Sequence, residues 1–176
     1  MTTYYVNSVG GDNSSAYSSW AKGAAKLETV MALVAAGDTI YIASDHAETT
    51  AGAITYATLG TQALPVKIIC ADRTSGGPPA TIATGATIAR TGAASYITIT
   101  GCSYWYGIQF TSANSTNAGR HLLGTVSSER TLVFDKCKFI IGGSASTGYI
   151  SAQSLGQLKW INCDVKFANA ANYISV

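Results

Sequence analysis

One short stretch of the chain gathers titratable side chains densely enough to suggest chemistry: Asp45-His46-Ala47-Glu48. A His and a Glu this close could serve as acid and base, and the His-x-Glu order is that of zinc deaminases. Those enzymes also need a downstream Pro-Cys-x-x-Cys pair to hold the metal, and the sequence has none. A polar turn after a strand explains the same residues, with turn hydrogen bonds or an interface contact as their role. On that reading Glu48→Gln leaves folding intact. The other acidic residues are scattered, with Asp135 two places before one cysteine and Asp164 one place after another. Calcium asks for several convergent oxygens, and a glycosidase for two carboxylates ~5–9.5 Å apart. Neither is legible in this spacing. The sequence therefore predicts no catalytic, metal or cofactor residue, and a protein that is not an enzyme.

The four cysteines, Cys70, Cys102, Cys137 and Cys163, contain no CxxC pair, which argues against a zinc knuckle or a thioredoxin-type site. Met1-Thr2-Thr3-Tyr4 lacks the charged and apolar regions of a signal peptide. The expectation is synthesis in a reducing cytoplasm and cysteines kept as buried free thiols. Tyr104, Trp105 and Tyr106 could stack on a sugar; strand alternation predicts Tyr104 and Tyr106 inside and Trp105 alone outward.

These residues must be positioned by a chain that is unusually poor in charge. Of 176 residues only 11% are charged and 47% are hydrophobic, with a net charge of +2. Gly, Ala, Ser and Thr make up almost half the sequence. So weak a basic field argues against nucleic-acid binding. No apolar run approaches the ~18 residues of a membrane-crossing helix.

Tyr4–Asn7 reads as a short strand before a Gly-rich turn. From Ala24 to about Ala35, Leu27, Val30, Met31 and Val34 fall on one helical face, and Gly37 stands where a left-handed C-cap belongs. Asp38–Ala43 then alternates as a half-buried strand. Further strands are expected over Val66–Ala71, Tyr96–Thr100, Tyr104–Thr111, Thr131–Ile141 and Gln157–Phe167. Weaker ones are expected within Thr81–Ala89, Leu122–Val126 and Tyr149–Ser151.

An internal repeat organises the second half. Aligned on Cys102, Cys137 and Cys163, apolar residues stand five and three places before the cysteine: Ile97/Ile99, Leu132/Phe134 and Leu158/Trp160. They return two and four places after it, as Tyr104/Tyr106, Phe139/Ile141 and Val165/Phe167. The parity changes at the cysteine, so a straight strand would turn its buried face outward. A one-residue bend just before the cysteine resolves this, with the three thiols pointing inward in one column. Stacked strand–bend–strand units describe a parallel β-helix; a β-sandwich with regular turns is the competing reading.

The opening Tyr4-Tyr5-Val6-Asn7, the Gly10-Gly11-Asp12 turn, Trp20, the helix and Gly37–Ala43 resemble the N-terminal coil and capping helix of pectin-lyase-like, right-handed parallel β-helix proteins. Ser44–Thr49 is similar to the version in virion proteins of tailed bacteriophages. The resemblance covers residues 4 to about 49. It implies an all-β fold, a short single-stranded right-handed parallel β-helix (residues 38–176, about five coils) behind an N-terminal strand and capping helix (residues 1–37), as one continuous domain. It further implies a capsid decoration or cement protein on the exterior of the virion. The strand-like tail Asn172–Val176 is followed by no capping helix. That end is therefore expected to be covered by another subunit, as a trimer, or by a larger shell built of the major capsid protein, with no cofactor, nucleic acid or membrane. The alternative is a tailspike or tail-fibre module that binds, and could cleave, bacterial surface polysaccharide. Interface candidates are the strand-like tail residues Tyr173, Ile174 and Val176, together with Asp45, His46 and Glu48.

Overall fold

The computed structural model describes residues 1–14, 16–74, 81–92, 95–113, 119–125, 130–142, 148–153, 156–168, 170 and 173–175. Strands β1 (Thr3–Val6) and the helix α1 (Leu27–Met31) come first, followed by β2 (Thr39–Ala43), β3 (Ala47–Ala51) and β4 (Ile54–Ala57). Next are β5 (Val66–Ala71), β6 (Ala86–Thr91) and β7 (Ile97–Thr100), then β8 (Ser103–Tyr106), β9 (Ile108–Ser112) and β10 (Gly119–Thr125). The last two groups are β11 (Thr131–Asp135), β12 (Lys138–Ile141) and β13 (Gly148–Gln153), and β14 (Gln157–Ile161), β15 (Asp164–Phe167) and β16 (Tyr173–Ser175). The fold is all-β with three parallel sheets. Their orders are β1-β2-β5-β8-β11-β14, β3-β6-β9-β12-β15 and β4-β7-β10-β13-β16. From β2 onward each group of three strands visits the first, second and third sheet in turn.

Pairing in register stacks like on like. In the first sheet Tyr4, Ile40, Ile68, Trp105, Phe134 and Trp160 share one column. In the third, Ile54, Ile97, Leu122, Ile150 and Ile174 do the same. One hydrophobic cluster joins the inward faces of all three sheets, from Val6 to Ile150. Its middle is aromatic: Phe139 stacks on Phe110 at 5.5 Å and on Trp160 at 5.1 Å between ring centroids. Such ring pairs contribute beyond their buried area.

The bends between the first and second sheets obey the parity argument. Leu132 and Phe134 point inward before the bend, and Cys137, Phe139 and Ile141 after it. The parity is absorbed by Lys136, whose φ is 50°. Asn162 (φ 50°) and Gly107 (φ 71°) do the same on the neighbouring passes. At Gly107 the left-handed backbone is also crowded: a Cβ there would stand 2.3 Å from the Ala83 carbonyl oxygen.

Several expectations are corrected. Tyr104–Thr111, Thr131–Ile141 and Gln157–Phe167 are each two strands, divided at these bends. Cys102 belongs to a different corner, between β7 of the third sheet and β8 of the first, after Gly101 (φ 88°). That corner leaves the parity unchanged, so Ser103 and Trp105 face the core, with Trp105 0% exposed. Tyr104 points outward and donates to Asp135 Oδ2 at 2.9 Å. The tyrosines mimicked the apolar positions of the other two units. Only Cys137 and Cys163 share a column; Cys70, Cys102 and Cys137 are buried, and Cys163 is partly exposed. The helix spans five residues, not twelve. Ala24 is tied to β1 instead, donating to the Tyr5 carbonyl at 2.9 Å and accepting from the Asn7 N–H at 2.8 Å. Leu27, Val30, Met31 and Val34 are nonetheless buried as one stripe. Gly37 (φ 83°) turns the chain into β2 rather than capping α1. Two strands, β3 and β4, were not foreseen.

Phe134→Ala should cost ~3–5 kcal/mol in chemical denaturation, as a truncation of a buried aromatic ring. Gly107→Ala should lower the melting temperature sharply, whereas Lys136→Gly at the equivalent bend should leave it unchanged or raise it.

Candidate functional site

Where β3 meets α1, the residues singled out for chemistry do come together, but inside the protein. Asp45 remains at the surface, in the turn before β3, where its carboxylate holds Arg73: Nη2 lies 2.6 Å from Oδ2 and Nε 2.9 Å from Oδ1. His46 is only 1% exposed. Its Nδ1 accepts the Ser8 N–H at 3.1 Å, so the neutral imidazole carries its proton on Nε2. That atom lies 3.6 Å from Glu48 Oε2. Ser8 returns the contact, its Oγ accepting from the Ala47 N–H at 2.9 Å. The two bonds clasp the loop after β1 onto the start of β3.

Glu48 is 3% exposed and points inward because it alternates within β3, in the same column as Ile88. Its Oε2 accepts the Leu27 N–H at 2.9 Å. No side chain at the N-cap position, Lys26, caps α1. Glu48 supplies the missing cap from a distant strand, and its charge suits the positive end of the helix. On the other side Arg90 Nη2, from β6, lies 3.3 Å from Glu48 Oε1, 3.4 Å from Glu28 Oε2 and 3.2 Å from the Tyr56 hydroxyl. A five-residue helix has no independent stability; this network and the apolar stripe hold it in place.

The environment fixes the protonation of these groups. Burial works against ionising Glu48, but the His46 imidazole, the Leu27 N–H and the Arg90 charge together hold its carboxyl below the usual carboxylate range. Burial, then the neighbouring Glu48 charge, pushes the Tyr56 phenol well above its ordinary value. The cluster is thus a carboxylate, a guanidinium and a neutral phenol. His46, Glu48, Arg90 and Tyr56 are all buried, with α1 laid over them. The Glu48 carboxylate and Arg90 Nη2 bond within the cluster and to α1, while His46 Nε2 and Arg90 Nε are buried without a hydrogen-bond partner among the described residues. Among the described residues no three His, Cys, Asp or Glu side chains converge as metal ligands would.

The expectation of a polar turn at residues 45–48 therefore holds only for Asp45. His46 and Glu48 are interior groups because β3 begins at Ala47. Arg90 and Tyr56 were not singled out from the sequence. A signal existed for Arg90: in Ala86–Arg90 it occupies the same inward parity as Ala86 and Ile88.

The other candidate site is the edge formed by the last pass. Among the described residues, strands β14, β15 and β16 are each paired on one side only. Leu158, Trp160, Val165 and Phe167 are partly buried against the core, while Ile161 is 42% and Ile174 44% exposed. The backbone of Tyr173 pairs with Tyr149 in β13; its side chain, and all of Val176, lie outside the described residues. On the outer face of the first sheet, Lys67, Tyr104, Val133 and Lys159 border a hollow of about 400 Å³. Trp105, expected to point outward beside it, faces the core.

No protein-family model, curated protein or solved structure matches this chain.

Glu48→Gln removes the charge facing Arg90 and should destabilise the protein by roughly 3 kcal/mol in denaturant melts, since it leaves a buried cation under-compensated. Asp45→Asn breaks a solvent-screened pair and should barely move the melt. The lowered carboxyl value means that the Glu48 contribution is fully present above the ordinary value of 4.5 and is lost as pH falls below it. Thermal melts from pH 7 to pH 3 should show that loss in the wild type and not in the Glu48→Gln protein.

Proposed function

We propose that the chain winds as a short right-handed parallel β-helix, residues 38–176, behind the strand and helix of residues 1–37. In this reading it is a non-catalytic structural protein of a tailed-phage virion. It decorates the capsid exterior, self-assembles as a trimer and binds the major capsid protein, without cofactor, nucleic acid or membrane. The carrying observation is the contrast between the two ends. At one end α1 lies over the core, held by the Glu48 cap and its apolar stripe. At the other, three edge strands and partly buried Trp160, Val165 and Phe167 have no cover among the described residues. Unpaired edges over an apolar core are a liability that proteins hide, and an identical subunit or a shell protein hides it at little entropic cost because the surface is preformed.

The rotation of strands through three parallel sheets supports the solenoid. The inward use of His46, Glu48 and Arg90 supports a scaffold over an enzyme. The assignment to a phage particle rests on the resemblance of Ser44–Thr49 to the version of this coil in virion proteins of tailed bacteriophages. The alternative, a glycan-binding tail module, draws no support from Trp105, which is buried.

Light scattering coupled to size exclusion should give a trimer for the wild type and a smaller species for Ile174→Asp, with circular dichroism unchanged. Mass spectrometry and labelling of a purified particle should find many copies on the head. A stable, soluble wild-type monomer overturns the assembly, and a few copies confined to the tail overturn the head assignment.

A further inference from the structure

Cys137 and Cys163 occupy adjacent rungs at the bend between the first and second sheets. Lys138 pairs with Asp164 in register, and the Asp164 N–H donates to the Cys137 carbonyl at 3.0 Å. Neighbouring strands lie ~4.8 Å apart, inside the ~4.4–6.8 Å range of Cα separations that a disulfide spans. Cys137 Sγ lies 3.5 Å from the Trp105 carbonyl oxygen, and Cys163 Sγ 3.4 Å from that of Phe134. Each thiol donates to a carbonyl of the preceding pass, so the two sulfurs stack on successive rungs. They differ in access: Cys137 is buried and Cys163, on the outermost pass, is partly exposed. The neighbouring Cys137 thiol holds the Cys163 thiol below its ordinary value, while the Cys163 thiol and burial push Cys137 up. The accessible sulfur is the one whose ionisation is favoured, and the buried one lies behind it. That is the arrangement of an attacking and a resolving thiol.

We propose that Cys137 and Cys163 form a redox-active dithiol that a hydroperoxide closes to a disulfide, stapling the last pass of the chain to the one before it. The Cys163 thiolate attacks one peroxide oxygen, the O–O bond breaks, and the departing hydroxide takes up a proton as water, leaving a sulfenic acid on Cys163. Cys137 Sγ then attacks Cys163 Sγ; the S–O bond breaks as the S–S bond forms, and the leaving hydroxide departs as water with the Cys137 proton. Two thiols lose two electrons in all, and one hydrogen peroxide becomes two waters. The staple crosses the bend at Lys136 and Asn162, next to the uncovered edge.

The test treats the reduced, folded full chain with hydrogen peroxide. Intact mass should fall by ~2 Da through loss of two hydrogens, and non-reducing peptide mapping should find Cys137 joined to Cys163. Without peroxide, iodoacetamide should alkylate Cys163 at least ~10-fold faster than Cys70. In Cys137→Ser the sulfenic acid should persist on Cys163 and be trapped by dimedone; Cys163→Ser should form no intramolecular disulfide. The proposal is overturned if wild-type Cys163 proceeds to sulfinic acid or to an intermolecular disulfide while Cys137 stays reduced. It is also overturned if Cys70 or Cys102 is the residue that becomes bridged.

Discussion

A strand keeps one face in the core only while its residues alternate, so a chain that bends and continues must absorb a change of parity at the bend. The rest of this structure depends on that constraint. Gly107, Lys136 and Asn162 each meet it by placing a single residue in the left-handed region. The inward sets Ser103/Trp105, Leu132/Phe134 and Leu158/Trp160 thereby continue as Ile108/Phe110, Cys137/Phe139 and Cys163/Val165. Left-handed backbone costs a non-glycine residue ~1–2 kcal/mol. Burying the rings that follow offsets it, since each contributes ~1.5–3 kcal/mol. Space decides which residue serves. The carbonyl of Ala83 crowds Gly107, whereas Lys136 and Asn162 are exposed and tolerate side chains.

The N-terminal end faces a different problem, because a helix crossing the end of three sheets has no backbone ladder to fix its position. Polar groups do this work. Asp38 accepts the N–H of Thr2 with one carboxylate oxygen and that of Ala35 with the other, joining β1, the turn after α1 and β2. Asn7 donates to the Trp20 carbonyl and accepts from the Val9 N–H, which folds the first loop against Tyr5 and Trp20. Glu48 then pins the start of α1. A buried charge set of this kind adds little net stability over an apolar equivalent, yet any other placement of α1 would take the Leu27 N–H from Glu48 and the Glu28 carboxylate from Arg90. The cluster acts as a register lock.

What could be read from the sequence follows the range over which each signal acts. Alternation in Thr39–Ala43 and Val66–Ala71, and the inward setting of Phe134, are local and were legible. So was the apolar stripe of α1. Its length was not, because Ala24 is committed to a bridge with Val6 that helix periodicity cannot register. The burial of Glu48 was illegible for a related reason: a carboxylate belongs at the surface unless a cation waits inside, and Arg90 lies 42 residues away. At Cys102 the error was chemical. Tyr104 counts as apolar by type yet points outward, while Ser103, whose hydroxyl accepts from Trp105 Nε1 at 2.8 Å, faces the core; Tyr106, expected inside, is buried.

The composition of the last pass constrains what can sit on it. In β14 and β15, Lys159 and Lys166 alternate with Leu158, Trp160, Val165 and Phe167, so charges line the outward face and apolar groups the inward one. Lysines on an edge discourage indiscriminate strand addition, yet among the described residues nothing covers the apolar half of the same edge. A flat hydrophobic surface would cover the rings and strand the backbone groups; a bare strand would pair the backbone and leave Trp160 half wet. A cover that satisfies this end must bring hydrogen-bonding backbone and apolar side chains together, with carboxylates or water placed for the two lysines. That requirement is met by a folded protein surface with its own edge strand.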